Sequence, residues 1–318
     1  MRILVTGADG FVGTNLIKKL LKGKENIRIL VRNDSKVDLP VETFYGDIRD
    51  KNSIKKAFKN IDIVIHLAAI HGDISLQELN ETNLNGLKNI LELSKENKVK
   101  HIIYYSSVAV YGEAININED SQYHPYDNYG LSKKYGEELI EEYKKDNKIN
   151  ITTIQPAHIY GPGGNSNINN LIKTICKKHF VLFGSGNNLI NIVYISDLIE
   201  ATIKIIYNKK SHNKKYIITD GRSYKLKDFA YTIATVSNIK KPIKIPYLSA
   251  YVIGYIFEII KKITGKKVPL TRSKVKNITR SRSFIIEKVK KDFGYSPKVT
   301  LKEGIKNTYK WLKEEGQL

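Results

Sequence analysis

The 318-residue sequence predicts an α/β fold: a doubly wound parallel sheet joined to a smaller, mostly helical C-terminal part. Two observations carry that prediction. Strand-like and helix-like segments alternate from the N-terminus to about residue 156, the pattern of a parallel sheet covered on both faces. The first alternation also holds three glycines, Gly7, Gly10 and Gly13, between an apolar run and a segment of helical period.

Arg2 to Val5 reads as a short buried strand, and Phe11 to Leu21 spaces its apolar residues as a helix does. The turn between them needs glycine for curvature, for close approach of a pyrophosphate and for helix–strand packing. Asp9, Phe11 and Val12 complete it, and the helix start offers phosphate unpaired N–H groups and a partial positive charge. A second strand, Asn26 to Val31, ends at Arg32, 19 residues past Gly13. There a carboxylate would bind the ribose of a dinucleotide, or an arginine its 2′-phosphate. A guanidinium pairs with phosphate through two bonds, which favours NADP(H). Asp34 reaching the ribose would instead serve NAD(H), which stays open. A third strand, Val41 to Tyr45, runs into Gly46-Asp47-Ile48, where Asp47 can accept from an adenine amino group. Strands at Ile61 to His66, Lys100 to Ser106 and Ile151 to Gln155 alternate with helices at Leu76 to Asn97 and Asn128 to Asp146. Beyond Pro156 a Gly/Pro/Asn-rich loop, 161–170, leads to a helix near Leu171 to Lys178 and strands near Val181 to Phe183 and Ile190 to Ile195. A helix from Asp197, a strand at Tyr216 to Thr219 and a mostly helical remainder from Lys225 follow, with Trp311 on the inner face of the last helix.

The net charge is +21 with a pI near 9.6, but the lysines spread along the whole chain, as on solvated helix faces. No basic-and-aromatic recognition pattern and no zinc spacing stands out, so neither a nucleic-acid partner nor a metal is expected. One cysteine, Cys176, permits no intramolecular disulfide, which suits a reducing cytoplasm. The first strand opens at residue 2 and leaves no room for a signal peptide. The one strongly apolar stretch, Ile245 to Ile260, is too short to span a bilayer and is interrupted by Pro246 and Gly254. Followed by Lys261 and Lys262, it has the makings of a membrane-surface helix, but packing inside its own domain or at a dimer contact is the expectation, and membrane contact is not favoured.

Chemistry enters with Tyr129-Gly130-Leu131-Ser132-Lys133. Residues four apart on a helix share a face, so the phenol and the ammonium stand together. A free tyrosine titrates near 10, and a nearby ammonium with a bound cationic nicotinamide favours its phenolate. That makes it a general acid/base for an alcohol–ketone pair. Ser106 and Ser107 both end a strand at the C-terminal edge of the sheet, where ligands bind in such folds. Strand side chains alternate, so only one of the two faces the site.

In this order on this Rossmann-type fold, the chain resembles an extended short-chain dehydrogenase/reductase of the NAD-dependent epimerase/dehydratase family. The likeness runs through the Gly7, Gly10, Gly13 turn, Gly46-Asp47-Ile48, His66-Leu67-Ala68-Ala69 and Asn83. It continues through Ser107 to Tyr111-Gly112, Tyr129 with Lys133, Pro156 to Gly161-Pro162, Val193 to Asp197 and Phe293-Gly294-Tyr295-Ser296-Pro297. The resemblance implies that Tyr129 is the acid/base, that Lys133 lowers its pKa and holds the nicotinamide ribose, and that Ser107, aligned through Tyr111, polarises the substrate oxygen. It assigns Leu67, Ala68, Ala69, Asn83, Pro156 and His158 to the cofactor's surroundings. His71, Tyr111 and His158 would line the mouth of the cleft, and Gln155 keeps an amide near the nicotinamide; His66 and His101 read as structural. A homodimer through the helix carrying Tyr129 is the family expectation.

Departures from the family narrow the reaction. Members that dehydrate sugars carry Asp-Glu after the catalytic Ser/Thr, where this chain has Val108 and Ala109. Ile190 stands where a nucleotide-diphosphate clamp usually has arginine, and Arg272, Arg280 or Arg282 can replace it. The expected division is residues 1–160 with about 189–219 for the cofactor, and about 161–188 with 220–318 for the substrate. The favoured function is hydride transfer at a secondary alcohol of a sugar, nucleotide-activated, as in an epimerase. The rival is an NADPH-dependent ketone reductase resembling the dihydroflavonol reductase and 3β-hydroxysteroid dehydrogenase branch. A cofactor-binding interaction protein without turnover is argued against by the intact Ser107, Tyr129 and Lys133.

Overall fold

The computed structural model describes residues 1–23, 25–72, 74–146, 149–266 and 268–318. Its centre is a seven-stranded sheet, every pair parallel. Six strands are β1 (Arg2–Thr6), β2 (Asn26–Val31), β3 (Glu42–Tyr45), β4 (Ile63–His66), β5 (His101–Tyr105) and β6 (Asn150–Pro156). The seventh is Lys215–Ile218, and the order across the sheet runs from it through β6, β5, β4, β1 and β2 to β3. The chain therefore winds outward from β1 to β3, returns to the other side of β1 at β4, and winds outward again. Beyond the C-terminal ends of β1 and β4 the two halves part, which is where an open α/β sheet binds its ligand.

Alternation along the strands sorts the core into two layers. Ile3, Val5 and Ile29 face α1 (Phe11–Lys22) and α7 (Ile195–Ile206), whose Leu16, Leu20, Leu198 and Ile205 are buried there. Leu4, Leu30 and Val64 face the opposite layer, where Leu87, Ile90 and Leu91 of α4 (Asn85–Glu96) and Ile140 of α5 (Asn128–Asp146) pack. The helix expected from Leu76 to Asn97 is two helices, α3 (Leu76–Asn83) and α4, which meet at Leu84. Helical period continues through the joint, which hides the break. Contacts to other parts of the chain meet at the joint: Asn83 turns its amide onto the backbone of Ile70, and Gly86 lets α4 sit so close that a Cβ there would meet Ile48 at 2.6 Å. A short helix, α2 (Lys51–Ile54), precedes them, capped by the Asp50 side chain.

The later chain forms α6 (Asn167–Cys176), capped by Ser166, and α8 (Leu226–Val236), α9 (Tyr247–Thr264), α10 (Arg272–Thr279), α11 (Glu287–Phe293) and α12 (Leu301–Glu314). Trp311 packs against the main core beside buried Ile305, Thr308 and Leu312, on the inner face as expected. Asp197 fastens this region to the sheet by accepting from the Lys298 and Val299 N–H groups, both at 3.2 Å. Of the two placements expected for it, α9 does not show packing inside its own domain, which leaves the contact with a second copy. Only Ala250 and Gly254 of its residues are buried. Among the described residues no helix is long and apolar enough to cross a membrane.

Candidate active site

Two cavities flank the C-terminal edge of the sheet. One, about 420 Å³, is lined by Gly7, Asp9, Gly10, Arg32, Asp47, Ile48, Leu67, Ala68 and Ala69, together with Leu30, Val31, Arg49, Ile70 and Thr82. Gly7 adopts φ +66°, and a Cβ there would strike the Ala68 backbone at 2.7 Å. A Cβ at Gly13 would strike the Gly7 carbonyl at 2.3 Å, so that glycine serves helix–strand packing. Gly10 precedes α1 with no side-chain cap on its first N–H groups, leaving them free for an anion. A phosphate-bearing dinucleotide fits this cradle. Phe11 and Val12 begin the helix beside it. Arg32 stands at the rim, largely exposed, with its Nε 3.5 Å from Asp34. Both oxygens of Asp47 are taken by Arg49, which holds the carboxyl below its usual range.

Three residues expected around the cofactor stand outside the lining of this cavity. Asn83 is buried and does not line the cradle: it accepts from Ile70 N–H at 2.8 Å and donates to Ile70 O at 3.0 Å, bracing the loop that does. Pro156 is buried within β6. His158 lines the second cavity instead.

Close in sequence to Tyr126 and Val108, which line the second cavity, stands the reactive pair. Asp127 accepts from Gly130 N–H at 2.7 Å and so starts α5. Gly130 lets this first turn close on the loop after β5, since a Cβ would meet Ala109 O at 2.6 Å. That approach brings the Ser107 hydroxyl close enough to the Tyr129 phenol to lower its pKa. Ser107 also accepts from Ala109 N–H at 3.1 Å. Ser106, alternating to the other side, donates to Glu137. One turn on from Tyr129, Lys133 donates to Tyr105 O at 2.8 Å, and its Nζ lies 6.0 Å from the Tyr129 ring centre.

Burial dominates the electrostatics. It pushes Tyr129 up to about 12, against the nearby Ser107 hydroxyl that lowers it and helped by the Asp127 charge that raises it. It brings Lys133 down to about 8, against the Glu137 carboxylate. The phenol therefore holds its proton at neutral pH, and a positive charge brought into the cleft shifts it toward phenolate. His71 stands exposed with its ring edge-on to Tyr129 at 6.1 Å.

Tyr111 and Gln155, expected near the substrate, line neither cavity. Both are buried; Tyr111 donates to Gln155 at 2.8 Å, and Gln155 donates to Glu137 at 2.9 and 3.0 Å. Glu137 also accepts from Tyr123, to which Lys215 donates at 2.9 Å. This network behind the site was missed, though Glu137 follows Tyr129 and Lys133 at the same four-residue interval. An acid on the buried stripe of a helix was the signal.

The second cavity, about 410 Å³, holds His158, Asn191, Tyr126, Arg280 and Arg282 among apolar walls that include Val108, Phe180 and Phe284. Arg282 donates to the Tyr126 hydroxyl at 2.6 Å, and the Arg280 guanidinium stacks 4.1 Å from the Tyr126 ring centre. Among the described residues, the buried Arg280 Nε has no hydrogen-bond partner, and the Glu113 carboxylate lies 4.0 Å from it. Arg272, by contrast, is spent on Glu258.

The family model described as "NAD dependent epimerase/dehydratase family" matches residues 3–219, and these carry the cradle, Ser107, Tyr129 and Lys133. The chain belongs to that family. It is an extended short-chain dehydrogenase/reductase, and an enzyme. It is 32% identical to an N-acetyl-alpha-D-glucosaminyl-diphospho-ditrans,octacis-undecaprenol 4-epimerase of Escherichia coli O157:H7, covering 97% of this chain and 94% of that protein. A UDP-glucose 4-epimerase of Vibrio cholerae is 28% identical over 96% and 94% of the two chains. A 3beta-hydroxysteroid-dehydrogenase/decarboxylase of Arabidopsis thaliana is 30% identical over 84% of this chain and 51% of its own length. The UDP-glucose 4-epimerase of Thermotoga maritima, solved with UDP-glucose, shares the fold at TM-score 0.81 and 22% identity over 99% of both chains. This epimerase/dehydratase family member is thus related to sugar epimerases and to hydroxysteroid dehydrogenases alike.

Proposed function

We propose that the enzyme epimerises a sugar carried on a diphosphate, by oxidising one secondary alcohol and reducing the ketone from its other face. The observation carrying this reading is the pair of guanidiniums, Arg280 beside Arg282, in the cavity that Val108, next to Ser107, also lines; the Arg280 Nε makes no hydrogen bond and has the Glu113 carboxylate at 4.0 Å. Two guanidiniums in one pocket suit a diphosphate, which offers each of them paired oxygens. The names of the Escherichia coli and Vibrio cholerae relatives, both 4-epimerases of diphosphate-linked sugars, support it.

A nicotinamide dinucleotide bound in the glycine cradle would take up the hydride and return it. The chain's own work is the proton. Tyr129 accepts it from the substrate hydroxyl and gives it back, Ser107 holds the reacting oxygen in line, and Lys133 supplies positive charge beside the phenol. Val108 and Ala109 after Ser107 offer no acid–base pair for elimination, so dehydration lies outside this reading. In this reading residues 1–160 with about 189–219 hold the cofactor, and about 161–188 with 220–318 close over the substrate; the second cavity is lined from both parts. Arg32 at the rim supports NADP(H), while Asp34 on the same guanidinium is placed to serve a ribose hydroxyl and NAD(H).

The apolar walls of the second cavity and the hydroxysteroid dehydrogenase relative favour one alternative, an NADPH-dependent ketone reductase. The purified enzyme decides between them. An epimerase releases stoichiometric nicotinamide on denaturation and interconverts a UDP-hexose or polyprenyl-diphospho-N-acetylhexosamine with no deuterium entering C–H from heavy water. Steady consumption of added NADPH with a ketone, and no interconversion, overturns the proposal.

A further inference from the structure

Helix α9 wears its side chains inside out. Its buried residues are the small ones, Ala250 and Gly254; a Cβ at Gly254 would meet the Thr271 and Arg272 backbone at 2.9 Å. The large residues face outward in two neighbouring stripes. Leu248, Val252, Ile256 and Ile260 recur every four residues and are exposed, Leu248 by 74%. Tyr247, Tyr251 and Tyr255 run beside them, exposed as well. A helix of a water-soluble domain normally turns such a stripe toward its core.

The charge around this face is one-sided. Residues 240–282 contain nine lysines and three arginines against a single acid, Glu258, which is paired with Arg272. Lys261 and Lys262 close the helix on its exposed side, and Lys241, Lys244 and Lys266 flank it, also exposed. Aliphatic residues, a tyrosine belt and a lysine border together match the hydrocarbon boundary and anionic headgroups of a bilayer. At 18 residues, beginning after Pro246 and ending at Gly265, the helix suits lying in that boundary. Its position is also informative. α10 begins against Gly254, and its Asn277 and Ile278, with Arg280 beyond its end, line the substrate cavity.

We propose that the outer face of α9 docks on an anionic membrane, and that the diphosphate of the substrate is carried on a polyprenyl lipid whose chain stays in that membrane. The docking stands on the helix alone; the nature of the carrier rests on the epimerase reading above.

Two variants of the full chain test it, Leu248→Glu with Val252→Glu, and Lys261→Glu with Lys262→Glu. Co-sedimentation uses phosphatidylcholine vesicles with or without about 30% phosphatidylglycerol. The wild type should pellet with the anionic vesicles, and each variant should lose about tenfold in bound fraction while keeping its circular dichroism and melting temperature. Turnover of polyprenyl-diphospho-N-acetylhexosamine in vesicles should fall in step, with turnover of a short-chain, water-soluble analogue unchanged. A wild type that stays in the supernatant, or variants that bind as well as it does, overturns the docking. So does a dimer in sedimentation velocity that the substitutions dissolve, since a second copy would then cover the face. Vesicle binding with no epimerisation of either substrate leaves the docking standing and overturns the lipid-carrier assignment.

Discussion

Gly130→Ala tests whether one missing methyl group sets the reactive geometry. The added Cβ would lie 2.6 Å from Ala109 O, so the loop and the helix start must part by roughly half an ångström or more. Ala109 cannot retreat alone, because its N–H donates to Ser107 at 3.1 Å, and the Ser107 hydroxyl stands close to the Tyr129 phenol. A misplacement of about 1 Å at a reacting group costs about a hundredfold, so half of that predicts a loss of about tenfold in hydride transfer. Stability should fall less than the clash suggests, since overpacking costs about 1–3 kcal/mol and alanine returns up to about 1 kcal/mol of helix propensity. The assay is single-turnover reduction of the nicotinamide, read by its absorbance, beside a thermal melt and a cofactor titration. Cofactor affinity should hold, because the cradle does not touch Gly130. Combining the change with Ser107→Ala should cost little beyond Ser107→Ala itself, since both break one contact. A folded Gly130→Ala enzyme with an unaltered rate, or losses that simply multiply, would refute the reasoning.

Four further outcomes follow from the same geometry. Tyr129→Phe should cut turnover by about 10²–10⁴-fold with cofactor affinity kept, as seen by stopped-flow and fluorescence titration. Lys133 is held at about 8 when folded and returns to about 10.5 when unfolded, so its burial penalty is full below pH 8 and gone above pH 10.5. Lys133→Met should therefore lose ground to the wild type by on the order of 2 kcal/mol between pH 7 and pH 10, measured by urea unfolding at each pH. Arg280→Met should raise KM for a diphosphate-linked sugar at least about tenfold with little change in kcat; an unchanged KM would remove Arg280 from the diphosphate. Arg32→Asp should turn the ratio of NADPH to NADH affinities toward NADH, and an unmoved ratio would show that Arg32 does not meet a 2′-phosphate.

Much of the fold was legible because its signals are local. The glycine turn, the alternation of strand and helix, and Tyr129 with Lys133 each lie within a few residues of sequence. What escaped depends on groups distant in the chain. Nothing near Asn83 says that its amide will be drawn to Ile70, so the break at Leu84 was read as continuous helix. Tyr111 and Gln155 are polar residues beside the site, and only their partner Glu137, on another element, turns them inward. α9 misled in the opposite sense. Its composition is that of a core helix, and the small residues that decide which side faces inward are two among eighteen.

The Thr6 hydroxyl and the His66 ring meet at 2.8 Å across β1 and β4, under the loop that holds the cradle. Enclosure, reinforced by the Lys133 ammonium, keeps this imidazole near 3. The staple at the parting of the sheet is therefore electrically silent throughout the acidity a living cell tolerates. Acidification that would ionise a surface histidine leaves the two strand ends at the same spacing and adds no cation beneath the dinucleotide. The platform stays constant, and any proton sensitivity of the chemistry belongs to the phenol and amine above it.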